Sequence, residues 1–79
     1  MLEIDWNVDH GWGKPNIVPF KNLSVHPFSS ALHYAIQCFE GLKAIKGKDG
    51  IIRMFRPECN MFRLKSSTKA LCLPDFDGK

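Results

Sequence analysis

Five prolines and a set of well-placed glycines cut this 79-residue chain into short pieces, and that punctuation limits its fold more than any other feature. Proline fixes φ and has no amide donor, so neither a helix interior nor a central strand runs through it. Leu2, Ile4 and Trp6 alternate with Glu3, Asp5 and Asn7, the period-two signature of a half-buried strand. The stretch HGWGKPN that follows reads as turn and loop. Ile17 to Phe20 and Leu23 to His26 are short extended segments limited by Pro19 and Pro27.

Two windows are long enough for helices. Ser29 and Ser30 can cap the first, whose apolar positions Leu32, Ala35, Ile36 and Phe39 follow the i, i+3, i+4, i+7 rule. Gly41 ends it, because glycine accepts the left-handed conformation that closes a helix. Pro57 opens the second at a position where the first turn tolerates it. Met61, Leu64, Thr68 and Leu71 mark one side of this helix up to about Cys72, and Pro74 stops it. Between the helices, Leu42 to Lys46 and Ile51 to Phe55 are strands joined by GKDG, where Asp49-Gly50 favours a hairpin turn. Strand, loops, helix, hairpin and helix make an α+β class, a single small unit over residues 1–79. A unit of this size buries a modest share of its surface and is marginally stable alone. In DFDGK, Asp75 or Asp77 looks like the cap of a further helix, which predicts a segment of a longer protein.

Several function classes are disfavoured. The formal charge of +3 is mild, and the basic residues from Lys43 to Lys69 form no solid block, the pattern of a solvated face. A small basic nucleic-acid-binding domain stays open as an alternative, without an RNA-binding motif to support it. Cys38, Cys59 and Cys72 are odd in number and lack paired spacing, which points to reduced thiols in an intracellular setting. His10, His26 and His33 are scattered, so no metal site is expected. The longest uncharged stretch, near Ser24–Phe39, is broken by Pro27, His and Ser, and no membrane span is expected.

Two places could carry chemistry. In HYAIQCFEGLKAIKG, Tyr34, Phe39, Glu40 and Gly41 crowd a helix-to-strand junction, where the rings are either core residues or the wall of a pocket. Glu40 and Gly41 have a structural reading, as a helix end and its stop. Arg63 lies well away from the centre of the apolar stripe on the second helix, which by spacing alone is a solvated flank.

The runs GWGKP, NLSVHP, SSALHYAIQCFEGLKA and IRMFRPECNMFRL resemble the N-terminal part of branched-chain amino acid aminotransferases of the eukaryotic type. The resemblance covers almost all of the chain. It implies a fold type IV enzyme that uses pyridoxal 5'-phosphate, with residues 1–79 part of a small N-terminal α/β domain. The cofactor would sit between that domain and a larger one, in a homodimer whose small domains help to wall the active site. The resemblance also assigns roles. Tyr34 and Phe39 would line the side-chain pocket for leucine, isoleucine and valine, and Arg63, in the N-M-x-R stretch, would bind the cofactor phosphate. His26 and His33 would be structural.

Two positions depart from the family pattern: Phe62 stands where an Asp is usual, and Phe28 where a small residue is common. Transamination to 2-oxoglutarate needs a lysine that bonds to the cofactor and an acid near its ring nitrogen. In the family both lie far downstream. None of Lys14, Lys21, Lys43, Lys46, Lys48, Lys65, Lys69 or Lys79 matches that lysine, so no catalytic residue is expected here and the isolated chain should be inactive. The expected location is cytoplasmic or mitochondrial. A non-enzymatic piece that pairs with full-length subunits is the other alternative.

Overall fold

The computed structural model describes residues 1–78, and Lys79 lies outside the described residues. It is an α+β chain of three two-stranded ribbons and two helices. Four short strands occupy the first part: β1 (Leu2–Glu3), β2 (Trp6–Asn7), β3 (Gly11–Trp12) and β4 (Asn16–Ile17). They nest. β2 pairs antiparallel with β3 through Trp6↔Trp12 and Asn7↔Gly11, and β1 pairs with β4 outside them through Leu2↔Ile17 and Glu3↔Asn16. The single strand expected from the Leu2–Ile4–Trp6 alternation is therefore split, and the expected loop HGWGKPN contains β3. The cause is a bulge. Between the two ladders Ile4 and Asp5 oppose Gly13, Lys14 and Pro15, one residue more, and proline has no amide to continue the pairing. At the tip the Asn7 carboxamide oxygen accepts from the amides of Asp9 (3.0 Å) and His10 (2.8 Å), and Gly11 takes φ 71°. Leu23–His26 forms no strand, because Pro19 and Pro27 flank a segment with nothing to pair with.

The first helix, α1 (Ser30–Tyr34), is shorter than its apolar stripe suggests. It ends at Ala35, which takes the left-handed φ of 52°, so Gly41 is not its stop and Glu40 is not its end. Short helices depend on a packed face for their stability. Here Leu32 is 63% exposed, so the stripe has no surface to bury against.

The hairpin β5 (Ala44–Lys46) and β6 (Ile52–Met54) follows expectation, with Lys46 opposite Ile52. Gly47 donates its amide to the Ile51 carbonyl (2.9 Å), and Gly50 sits at φ 79°. The Asp49 carboxylate accepts from the Ile51 amide and from both terminal nitrogens of Arg53, at 2.8–3.1 Å. The second helix, α2 (Pro57–Ala70), begins with proline as expected. Its end is set before Pro74. Cys72 adopts φ 53°, its amide bonds the Lys69 carbonyl (3.2 Å), and the Leu73 amide bonds the Thr68 carbonyl (2.9 Å). That is a Schellman closure with cysteine in the place glycine usually takes.

Among the described residues no apolar side chain is fully buried, and the two buried residues are polar: Asn60 and Thr68. The accessible surface is 7491 Å², against roughly 4,900 Å² for a compact monomer of this mass. The radius of gyration is 15.3 Å, where about 12 Å is usual for this length. The chain makes local structure without a core of its own.

Gly50 tests the hairpin turn. Alanine there must adopt a left-handed backbone, at a cost of about 1 kcal/mol. Amide exchange at Gly47 should accelerate in Gly50→Ala, and unchanged exchange would show that the turn tolerates a side chain.

Candidate functional site

The contacts that join distant parts of the chain are polar, and the best-formed of them centres on Glu40. The Glu40 side chain is 16% exposed. One carboxylate oxygen accepts from Arg63 Nε (2.7 Å), and the other accepts from Arg63 Nη2 (2.8 Å) and Asn60 Nδ2 (2.9 Å). Asn60 Nδ2 also donates to the Gly41 carbonyl at 2.6 Å. Asn60 and Arg63 are three residues apart on α2 and so share a face, which turns both toward residues 40–41. The hydrogen bonds from Arg63 hold the Glu40 carboxyl below the usual carboxylate range, and those same bonds raise the Arg63 guanidinium above its ordinary value. Arg63 is thus a permanent cation in a fixed orientation.

This pairing leaves donors to spare. A guanidinium carries five N–H groups. Glu40 engages Nε–H and one on Nη2, which leaves the pair on Nη1 and the second on Nη2. Arg63, 57% exposed, lines a cavity of about 530 Å³ together with Lys43, Phe55, Arg56, Cys59 and Asn60. Three positive groups therefore face one space. Arg56 caps α2 with a left-handed backbone (φ 48°, ψ 55°), and its guanidinium lies 5.0 Å from the centre of the Phe55 ring.

A second cavity, about 940 Å³, is apolar and lined by Trp6, Trp12, Cys38, Leu64, Leu73 and Phe76 among others. It lies where the N-terminal ribbons meet α2 and the C-terminal segment. Trp12 Nε1 donates to the Asp75 carbonyl across it (2.7 Å), and the Asp75 carboxylate pairs with Lys65 at 3.2 Å.

Arg63 therefore stands at a cavity rather than as a plain solvated flank. Tyr34 and Phe39 do not join it: they are 79% and 91% exposed and line neither cavity. Neither ring is core within this chain either. His26 accepts from the Phe28 amide through Nδ1, and the His33 ring contacts the Pro27 carbonyl, so both serve local loop structure. Phe28 and Phe62 are exposed. Glu40 and Asn60 are the site residues that periodicity missed; the one available signal was the three-residue spacing of Asn60 and Arg63. No helix of the described residues is long and apolar enough to cross a membrane.

No family model matches the chain. Curated relatives do. Over 77 residues, 98% of this chain, it is 57% identical to the mitochondrial branched-chain-amino-acid aminotransferase of Rattus norvegicus. It is 53% identical to the cytosolic enzyme of the same organism and 51% identical to the branched-chain-amino-acid aminotransferase of Dictyostelium discoideum, each over 77 residues. These alignments take up 19–20% of each relative, so the chain spans about one fifth of the length of the proteins it matches.

The Glu40 tie has a defined acid response. Its carboxyl is lowered in the folded chain, so its contribution is complete above the ordinary glutamate range and fades as pH falls through the lowered native value. Acid titration should move the Asn60 side-chain amide resonances in the native chain, and Glu40→Gln should abolish that response. Resonances indifferent to acid in the native chain would contradict the pairing.

Proposed function

We propose that this chain is a segment of the small N-terminal domain of a fold type IV branched-chain aminotransferase, and that Arg63 holds the phosphate of pyridoxal 5'-phosphate. Identity of 51–57% over 98% of the chain supports the enzyme class. The role of Arg63 is supported by one observation: its guanidinium is fixed along one edge by Glu40, with N–H donors remaining at a cavity that Lys43 and Arg56 also line. This donor set fits a phosphate dianion, because planar paired N–H groups match phosphate oxygens in geometry as well as charge.

The cofactor, when bound, supplies the electron sink that lets an amino group leave one carbon and join another. This chain's contribution is to bind and orient. Arg63 anchors the phosphate end, and Glu40 and Asn60 keep Arg63 from swinging away. The catalytic lysine and the acid at the ring nitrogen are assigned to parts of the enzyme outside this segment. The substrates are leucine, isoleucine and valine as amino donors and 2-oxoglutarate as the acceptor.

Tyr34 and Phe39 are assigned to the apolar side-chain pocket, completed by the remaining enzyme or by the second subunit of a homodimer. Their exposure supports this, since rings at 79% and 91% exposure await a covering surface. The location that follows is cytoplasmic or mitochondrial, as with relatives of both kinds. The same uncovered surface favours a second reading, a non-catalytic piece that pairs with a complete aminotransferase subunit. Co-purification of the 79-residue chain with such a subunit, without gain of activity, would select it.

Two substitutions in a complete enzyme carrying this segment test the first reading. Arg63→Ala should weaken cofactor binding about tenfold or more, measured by equilibrium dialysis. Unchanged affinity would return Arg63 to a surface role. Phe39→Ala should lower the leucine-over-alanine ratio of kcat/KM by about tenfold, the weight of lost apolar contact in a pocket. Its stability should fall by less than the roughly 3–5 kcal/mol of a truncated core Phe. Strong destabilisation with an unmoved ratio would mark Phe39 as core.

A further inference from the structure

We infer that Lys43 and Arg56 join Arg63 as direct ligands of a phosphate monoester in the cavity of about 530 Å³; the inference rests on the reading of Arg63 as a phosphate ligand. The three cations come from separate places: Lys43 precedes β5, Arg56 caps α2, and Arg63 lies two turns into that helix. Like charges that share a cavity repel unless an anion joins them. No aspartate or glutamate lines this cavity. The nearest carboxylate, Glu40, is engaged with Arg63 and Asn60. Among the described residues neither Lys43 nor Arg56 has a carboxylate partner; the paired cations are Lys21, Arg53, Arg63 and Lys65. With Glu40 balancing one of the three, the excess charge matches that of a phosphate dianion.

Arg56 supplies an independent sign. Its backbone is left-handed (φ 48°, ψ 55°), a conformation that a residue with a side chain adopts at a cost. Glycine would take the same turn freely, yet an arginine stands there. Its guanidinium is steadied 5.0 Å from the Phe55 ring centre, a cation–π arrangement that limits its freedom before any ligand arrives. The cavity is also far larger than a phosphate group, which leaves room for an organic remainder beyond the ester oxygen.

The closing test is a titration of the full 79-residue chain with inorganic phosphate, followed by backbone amide shifts in an NMR spectrum. Shifts should appear at Leu42, Phe55 and Cys59, and sodium chloride at equal ionic strength should not reproduce them. Arg56→Gly keeps the left-handed turn and deletes the cation, and Lys43→Gln deletes the other. Each should weaken phosphate binding about threefold or more, with the hairpin amides of Lys46 and Gly47 unmoved. Loss of binding in Arg63→Ala with both other variants unaffected would overturn the inference and leave the Arg63 reading standing. Absent shifts in the native chain, or equal shifts with chloride, would overturn the inference. The cofactor affinity of Arg63→Ala in a complete enzyme then judges the Arg63 reading separately.

Discussion

The Glu40 carboxylate carries a larger share of this structure than its single charge suggests. Exposed ion pairs contribute little to stability, because water already solvates both partners and long side chains lose freedom when they pair. The geometry here differs from a casual surface contact. Glu40 meets Arg63 edge-on through two hydrogen bonds and also accepts from Asn60, which is 7% exposed. Both N–H groups of that carboxamide are engaged, one on Glu40 and one on the Gly41 carbonyl. Loss of the carboxylate would leave a buried donor unsatisfied, so the arrangement is costlier to break than a simple pair. It fixes where residues 40–41 lie against α2 when no packed apolar layer does so.

What could be read from the sequence divides along the range of the interactions involved. The β5–β6 hairpin was legible because Asp49 and Gly50 determine the turn within a few residues, and α2 because Pro57 and a sustained stripe act locally. The first helix misled. Leu32, Ala35, Ile36 and Phe39 describe a face that needs a surface to bury against, and without one the helix closes at Ala35. The N-terminal alternation misled in a subtler way. Its period was right for strands, but the bulge opposite Ile4 and Asp5 depends on register, which residue order along one strand does not reveal. Within the site, Arg63 gave no signal by periodicity because its partner lies 23 residues away. The family resemblance pointed to it, and the cavity it lines adds a physical ground.

The misfit between pattern and burial has one physical source. Leu2, Ile4 and Trp6 alternate as a half-buried strand should, yet they are 61%, 42% and 44% exposed. The chain leaves roughly 2,600 Å² more surface open than a compact monomer of its mass, an amount comparable with a large protein interface. Apolar periodicity written for a larger body persists when only part of that body is described. This agrees with a chain that spans about one fifth of its relatives' length. It also explains why Tyr34 and Phe39 satisfy neither the pocket nor the core reading within these residues: each requires a second surface.

On the proposed reading, Glu40 presents an apparent contradiction, since an acid beside a phosphate-binding arginine weakens the local positive field. Orientation offsets that loss. A free arginine must give up rotamer freedom when it binds, whereas Arg63 is already held along its Nε–Nη2 edge before a ligand arrives. The raised affinity of its guanidinium for the proton keeps it charged throughout. The field lost to Glu40 is restored by Lys43 and Arg56 at the same cavity, and neither of those has an acid of its own. One arginine thus supplies direction while its neighbours supply charge. Such a division suits a ligand whose position, more than its bare affinity, determines whether an amino group can be transferred.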